Sequence, residues 1–430
     1  VTLAPARGLQ HELEAAWART DRIFDLLLPG ALLERPIPLR HPFLFYLGHL
    51  PAFAWNQLCR GALGQRSLRP ELDDLFARGI DPRDTGAAAG GETRWPEARA
   101  VLDYRDRARQ GVRDALDRLP ASESRRAALV LEHELMHHET LLYMLQELDH
   151  GWKRAPSIES DTGAESAAER PPRRPRRVPS GRARLGARRD ELPFGWDNEF
   201  PELVVEVPAF DLDDRPVSNG EFLEFVREGG YERRELWSDE AWAWLAARGE
   251  RHPHGWRRAG GGWTVRAPFE DVPFERARDW PASVAWVEAA AFARARGRRL
   301  MTEAEFHRAA QGDAADGAAA ELAPDANLGL RRWSQEAVGR HAAAGSPWGV
   351  GELIGNGWEW TSTPFGPFPG FRADLPDYAG YSADFFDRRH YVLLGASWAT
   401  DARLARRSFR NWYQPHYPYV FSKFRTAGPA

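Results

Sequence analysis

The chain of 430 residues has one cysteine, Cys59. A single thiol excludes an intrachain disulfide and excludes a thiolate metal cluster. It accords with a reducing, cytoplasmic location. No run of about 18 uncharged apolar residues occurs, so no membrane-spanning helix is expected. The first residues also lack the apolar core of a secretory leader. A large excess of one charge is missing too: 58 Lys and Arg against 62 Asp and Glu leave a net charge of −4. That balance argues against a dedicated nucleic-acid binder. What is present indicates a folded globular chain of two or three domains, large enough to work as a monomer: 43% hydrophobic residues, 12% aromatic and 18 Trp.

The most informative stretch is LEHELMHHETLLYML, residues 131–145. Leu129, Met136, Leu141, Met144, Leu145 and Leu148 recur at helical spacing and predict a core helix. At about 100° per residue, His137 lies about 40° round from His133, so both imidazoles can converge on one atom. His138 lies about 140° from His133 and is expected to point elsewhere. Composition alone gives about 0.4 HxxxH pairs in such a chain, so the pair by itself is weak. Two histidines on one apolar face are nonetheless hard to accommodate, because each ring nitrogen needs a partner.

Residues 9–28 predict an amphipathic helix ended by Pro29-Gly30. HPFLFYLGHLPAFAWNQLCR (41–60) predicts a second, apolar and aromatic helix with Pro42 at its start. Pro51 is expected to kink or break it beside His49. A third helix is expected over 97–119, stopped by Pro120, and Ser122 or Ser124 is expected to cap the fourth. Together these predict an antiparallel helical bundle over 1–154. Residues 155–177 are polar, then rich in Pro and Arg, and predict a linker. From 178 to 430 the texture is that of an α+β domain with many loops held by buried aromatics. Thr302 and Glu305 there have the spacing of a capping box.

The strings RPVSNGEFLEFV, WPASVAWVEAAAFARARGRRLMTEAEFHRAA, GNGWEWTSTPF, LLGASWAT and FSKFRTAG occur in this order. They resemble the signatures of the formylglycine-generating-enzyme-like domain, which implies a C-type-lectin-like fold. The active-site cysteines of formylglycine-generating enzymes are missing, which rules out their copper chemistry. The N-terminal half resembles the DinB-like metal-binding bundle, whose pattern of one His on the second helix and an HxxxH pair on the last falls on His49, His133 and His137. The fusion is similar to the sulfoxide synthases of ergothioneine and ovothiol biosynthesis. HPFLFYLGH and FGWDNEF (194–200) look most like the ovothiol and related branches. The fold class implied is α+β multidomain: a DinB-like four-helix bundle, then a C-type-lectin-like domain.

That resemblance implies non-haem iron(II), O2 as co-substrate, and a C–S bond formed between the imidazole of hercynine (or histidine) and a small thiol. By ligand type alone, three imidazoles suit Fe, Zn, Cu or Ni. Glu139 completes an HxxxHxE pattern. At about 240° from His133 it is expected behind the ligands rather than on the metal. The family's catalytic tyrosine maps onto PDYAGYSADFF (376–386), giving Tyr381 first and Tyr378 second. In another branch the tyrosines come from near the third helix, where Tyr104 stands. The family's substrate-binding stretch corresponds to SFRNWYQPHYPYVF (408–421). Asn411 and Trp412 would meet the trimethylammonium or carboxylate end of the betaine, the Trp face attracting a quaternary cation. Two departures bear on the substrates. Met136 stands where ergothioneine enzymes often have a glutamine. Tyr413, His416 and Tyr417 stand where an acidic residue and an Arg would grip a γ-glutamyl group. A small donor such as cysteine is therefore expected. The alternatives are C–Se bond formation from a selenosugar, as in selenoneine synthases, and a non-catalytic zinc- or ligand-binding protein.

Overall fold

The computed structural model describes residues 6–77, 94–157, 172–311, 326–340, 346–375, 378 and 380–430. The GAAAGGET stretch and most of the expected linker lie outside these residues. The chain forms two compact units, 1–156 with 190–194, and 157–189 with 195–430. Among the described residues no helix is long and apolar enough to cross a membrane.

The first unit is built on α1 (Ala6–Phe24), α2 (Phe43–Ala54), α4 (Ala98–Leu116) and α5 (Ser124–Glu147), with a short α3 (Pro70–Phe76). Helix α2 packs on α3, α4 and α5, and α1 packs on α5. The apolar stripe expected on α5 understates its burial. Every side chain from Ala127 to Leu145 except Met136 is buried, so the helix runs through the middle of the unit. Burying Leu129, Leu141, Met144 and Leu145 there contributes roughly 1.5–3 kcal/mol each.

Two local expectations are corrected. Helix α2 does not break at Pro51: it continues to Ala54, and the irregularity comes afterwards as a π-helical stretch, Trp55–Ala62. Proline removes only one amide donor, and the burial of almost every α2 side chain holds the helix through that loss. Nor does a serine cap α5. A 3-10 turn, Ala121–Glu123, precedes the helix, and the Ser124 hydroxyl donates back to the Ala121 carbonyl at 2.8 Å.

Two glycines permit close approach in this unit. A Cβ on Gly48 would fall 2.3 Å from the Phe76 ring, and one on Gly111 would fall 2.2 Å from the Trp55 ring.

The second unit is α+β. One four-stranded sheet has the order β1 (Pro175–Val178), β4 (Phe210–Asp213), β13 (Thr426–Pro429), β8 (Arg299–Leu300). A second has β11 (Asn411–Tyr413), β10 (Tyr391–Leu394), β9 (Trp358–Pro364), β12 (Ser422–Lys423). All pairs are antiparallel except β12 with β9. An antiparallel pair β2 (Gly181–Leu185), β3 (Leu203–Val207) and a three-stranded sheet β5 (Trp256–Ala259), β6 (Gly262–Arg266), β7 (Asp271–Pro273) complete the strands among the described residues. The helices α6 (Asn219–Arg227), α7 (Asp239–Arg248), α8 (Phe274–Ala277), α9 (Trp286–Ala295) and α10 (Glu303–Gln311) lie between them in sequence. Thr302 and Glu305 form the expected capping box, with Glu305 N donating to Thr302 Oγ1 at 3.1 Å and Thr302 N donating to the Glu305 carboxylate at 2.7 Å. Strand β1 begins inside the stretch expected as linker. Just before it, Arg173 is ion-paired with Asp213 and Glu221 rather than solvated.

Candidate metal centre and aromatic cluster

The first unit brings His49 of α2 together with His133 and His137 of α5. One ligand atom from each lies within 4.8 Å of the others. All three are buried, at 5%, 1% and 4% exposure. The His133 and His137 Nε2 atoms face each other at 3.2 Å. Two nitrogens bound at right angles to one first-row metal, each at about 2.1 Å, are about 3 Å apart. The spacing therefore suits a shared cation.

The tautomer of His49 is fixed by its surroundings. Its Nδ1–H donates to the Phe76 carbonyl at 2.7 Å, which leaves Nε2 as a lone pair. That Nε2 is buried without a hydrogen-bond partner. Aromatic rings enclose the site: Phe45 stacks on His49 at 5.0 Å, Phe53 on His133 at 3.6 Å, and Tyr46 tilts against His137 at 5.7 Å. Burial in this apolar surround pushes all three imidazoles toward the neutral form, His49 to about 4 and the others well below the usual value. Neutral imidazole is the ligating form, so the donor set fits a divalent first-row metal.

This environment has a consequence for acid stability. Between pH 6.5 and 4 the unfolded chain takes up a proton on His49 that the folded chain refuses, so stability falls as the pH falls through that window. At about 1.4 kcal/mol per unit, His49 alone costs about 3 kcal/mol by pH 4. We expect the chelator-treated protein to keep its helical circular dichroism at pH 7.5 and to lose thermal stability steeply below pH 6.5.

The neighbours of the ligands have other tasks. His138 is turned away as expected, with its Nε2 2.9 Å from Thr20 Oγ1 on α1. Glu139 is buried and Met136 is partly exposed. Tyr104 donates to Asp73 at 2.7 Å. Sequence reasoning missed Tyr46, whose place in an apolar helix reads as ordinary core filling. The available signal was that it precedes His49 by three residues, on the same helix face.

The second unit gathers another set of candidates. Tyr381 stacks on Trp196 at 4.0 Å and meets Trp412 edge-on at 5.3 Å, with Tyr378 5.4 Å from Tyr381. Trp412 also stacks on Phe365 at 4.2 Å and is partly buried against the core of this unit. The cluster is tied down by the FGWDNEF motif, because Ser382 donates to Asp197 and accepts from Asn198 Nδ2 at 2.9 Å. Burial pushes the Tyr378 phenol up to about 12, so it stays protonated. Ahead of Asn411, Arg410 is buried in a pair with Glu303, Nε to Oε1 at 2.8 Å. At the start of β11 the Asn411 side chain accepts from Trp412 N at 2.9 Å. Tyr413 stacks on Tyr417 at 5.0 Å, and His416 between them is half-buried.

Known proteins match in the same two parts. The DinB superfamily matches residues 12–145, and the sulfatase-modifying factor enzyme 1-like domain matches residues 163–429. A protein of Mycolicibacterium thermoresistibile named hercynine oxygenase is 34% identical over 97% of this chain and 94% of its own length. The chain belongs to the ergothioneine/ovothiol-type sulfoxide synthase family. Members are enzymes of the oxidoreductase class, and this chain is one of them. A Neurospora crassa relative, ergothioneine biosynthesis protein 1, is 29% identical over 95% of this sulfoxide synthase family chain and 56% of its own length. Among solved structures, PvdO from Pseudomonas aeruginosa covers 59% of the chain and 93% of its own, at 19% identity and a TM-score of 0.39.

Proposed function

We propose that this chain is a non-haem iron(II), O2-dependent sulfoxide synthase. It joins the imidazole of hercynine, or of histidine, to a small thiol such as cysteine. The reaction balances as thiol plus imidazole C–H plus O2 giving the imidazolyl sulfoxide plus water. The observation that carries this reading is the buried, neutral trio His49, His133 and His137, in a fusion whose relatives are named for hercynine and ergothioneine chemistry. Three protein ligands leave positions open for substrates, and the bound iron would supply a Lewis-acidic, redox-active centre that lowers the thiol pKa. The single buried thiol, Cys59, accords with work in a reducing cytoplasm.

The chain's own residues then have separable tasks. His49 is pre-aimed by the Phe76 carbonyl, and the rings of Phe45 and Phe53 keep water from the ligands. Trp412 and Tyr381 offer an aromatic corner suited to a trimethylammonium group, and Asn411 stands beside it. Met136 supplies no hydrogen bond to a substrate ring. Tyr413 and Tyr417 are engaged with each other, and with His416 they carry no acidic or guanidinium grip, which favours a small donor over a γ-glutamyl one. Glu139 supports α5 from behind the ligands.

Tyr378 and Tyr381 are the proton-donor candidates. Replacing the donor by Phe is expected to slow sulfoxide formation by about 10²-fold or more, while the other variant stays within a few-fold. Steady-state product formation by Tyr378→Phe and Tyr381→Phe separates them.

The reading as a whole is tested by loading the protein with iron(II) without air, then adding O2 with hercynine and cysteine. O2 uptake and a product mass equal to both substrates plus one oxygen minus two hydrogens are expected. A zinc-loaded protein that binds ligand without turnover, or a product containing selenium formed only from a selenium donor, would replace it.

A further inference from the structure

Two buried polar atoms beside the histidine trio lack partners, and they belong to adjacent rings. The Tyr46 hydroxyl is fully buried without a hydrogen bond, and the Nδ1 of His137 is also buried without one. The two rings are 5.7 Å apart and inclined at 54°. Buried polar groups are rarely left in this state, so two of them on neighbouring rings need an account.

The proton inventory supplies it. When a cation is held by His137 Nε2, the ring proton must sit on Nδ1, and that N–H requires an acceptor. Among the described residues the ring neighbours of His137 are Tyr46, His49 and His133. Of these only Tyr46 carries an oxygen. Arg40 also lies on this side of the site, but a guanidinium has donors only. Arg40 Nε moreover donates to the Tyr143 hydroxyl at 3.0 Å. The backbone N–H of His41 approaches the Tyr46 oxygen as a weak donor outside full hydrogen-bond geometry, which leaves that oxygen a lone pair for a second partner. For His49 the same need is already met by the Phe76 carbonyl.

We infer that Tyr46 is a positioning residue for His137: its hydroxyl oxygen accepts the His137 Nδ1–H in the metal-loaded protein and fixes the ring's tautomer and aim. This rests on the reading of the trio as a metal centre, and adds that one ligand is oriented by the backbone and another by a phenol. Partners that orient metal-bound histidines typically change metal affinity about 10- to 100-fold when removed.

The test is Tyr46→Phe, read by zinc(II) affinity in chelator competition and by thermal unfolding of the metal-free protein. The variant removes an oxygen that closes no full hydrogen bond in the metal-free fold. Its metal-free melting temperature should therefore be unchanged or raised, while zinc affinity falls at least 10-fold. In zinc-loaded wild type, imidazole ¹⁵N spectra should show a slowly exchanging His137 Nδ1–H, and in the variant that proton should exchange faster. A hydroxyl with only a structural role would do the reverse, lowering the metal-free melting temperature and leaving zinc affinity within two-fold. That result, or an unchanged Nδ1–H signal, overturns the assignment of Tyr46 alone. Failure of the wild type to bind zinc at the trio overturns the metal centre and this inference together.

Discussion

Replacing His133 or His137 by alanine is expected to leave the protein with no stoichiometric iron and with sulfoxide formation reduced by at least about 10³-fold. Helix α5 leaves no room for substitute ligands. It is buried on all sides over Ala127–Leu145 except at Met136, so the ligands cannot be replaced by a helix shift or by water-exposed neighbours. Each histidine supplies one of three nitrogens within 4.8 Å, and two nitrogens no longer enclose a cation. His138→Ala is the internal control. It lies one residue away on the same buried helix, yet bonds to Thr20, so its loss should lower stability while iron content is retained. Elemental analysis of the purified variants, with product formation by mass spectrometry, separates the outcomes. Full metal and turnover in His133→Ala would remove the trio as the active centre.

The second large effect is expected in a buried ion-pair network of the second unit. Arg425 and Glu359 are both fully buried. They form a two-pronged pair, Nε to Oε1 at 3.0 Å and Nη2 to Oε2 at 3.1 Å. Arg425 Nη1 also donates to the Gly351 carbonyl at 3.0 Å. Across the β12–β9 register, Lys423 is fully buried opposite Glu359, and its ammonium donates to the carbonyls of Glu352 and Gly355, each at 2.6 Å. Burial pushes this lysine down to about 8. Replacing Arg425 by Met leaves a buried carboxylate short of its partner and strips donors from several carbonyls. Breaking such a pair costs about 3–5 kcal/mol. In a unit of this size that is a fall in melting temperature on the order of 10 °C. Differential scanning calorimetry of Arg425→Met should show it, and Lys423→Met should behave similarly. Arg99→Ala, in the exposed i,i+4 pair with Asp103, should leave the transition where it was. A shift below 1 °C in Arg425→Met would mean that the network has no stabilising role.

The pairing of His133 with His137 on one helix face was legible because helical spacing carries angular information. His49 needed the family resemblance, since a single His in an apolar run has no spacing to read. The stripe on α5 was legible only as one face. Periodicity detects contrast between faces, and a helix buried all round has little. The missed cap has a local cause: a 3-10 turn precedes α5, so Ser124 is already inside the turn when its hydroxyl finds the Ala121 carbonyl. Other features were illegible because their partners are far apart in the chain. The Ser382–Asp197 bond spans 185 residues, and the Arg425–Glu359 pair spans 66. Neither WEW nor KFR announces a buried ion pair, because charged residues near strands usually read as surface. The two-unit organisation was legible from texture, whereas the Arg173 ion pairs were hidden inside a composition that reads as solvated.

Phe76 occupies two roles at once. Its ring fills the space that a side chain on Gly48 would need, and its carbonyl aims the His49 ring. Positions 48 and 76 are therefore one inherited decision. Any methyl group at 48 must push the ring aside, and with it the carbonyl that holds the ligand's proton. Across descendants of this chain the two positions should change together or not at all. A lineage that enlarges position 48 would have to find a new acceptor for His49 to keep that ring aimed at His133 and His137.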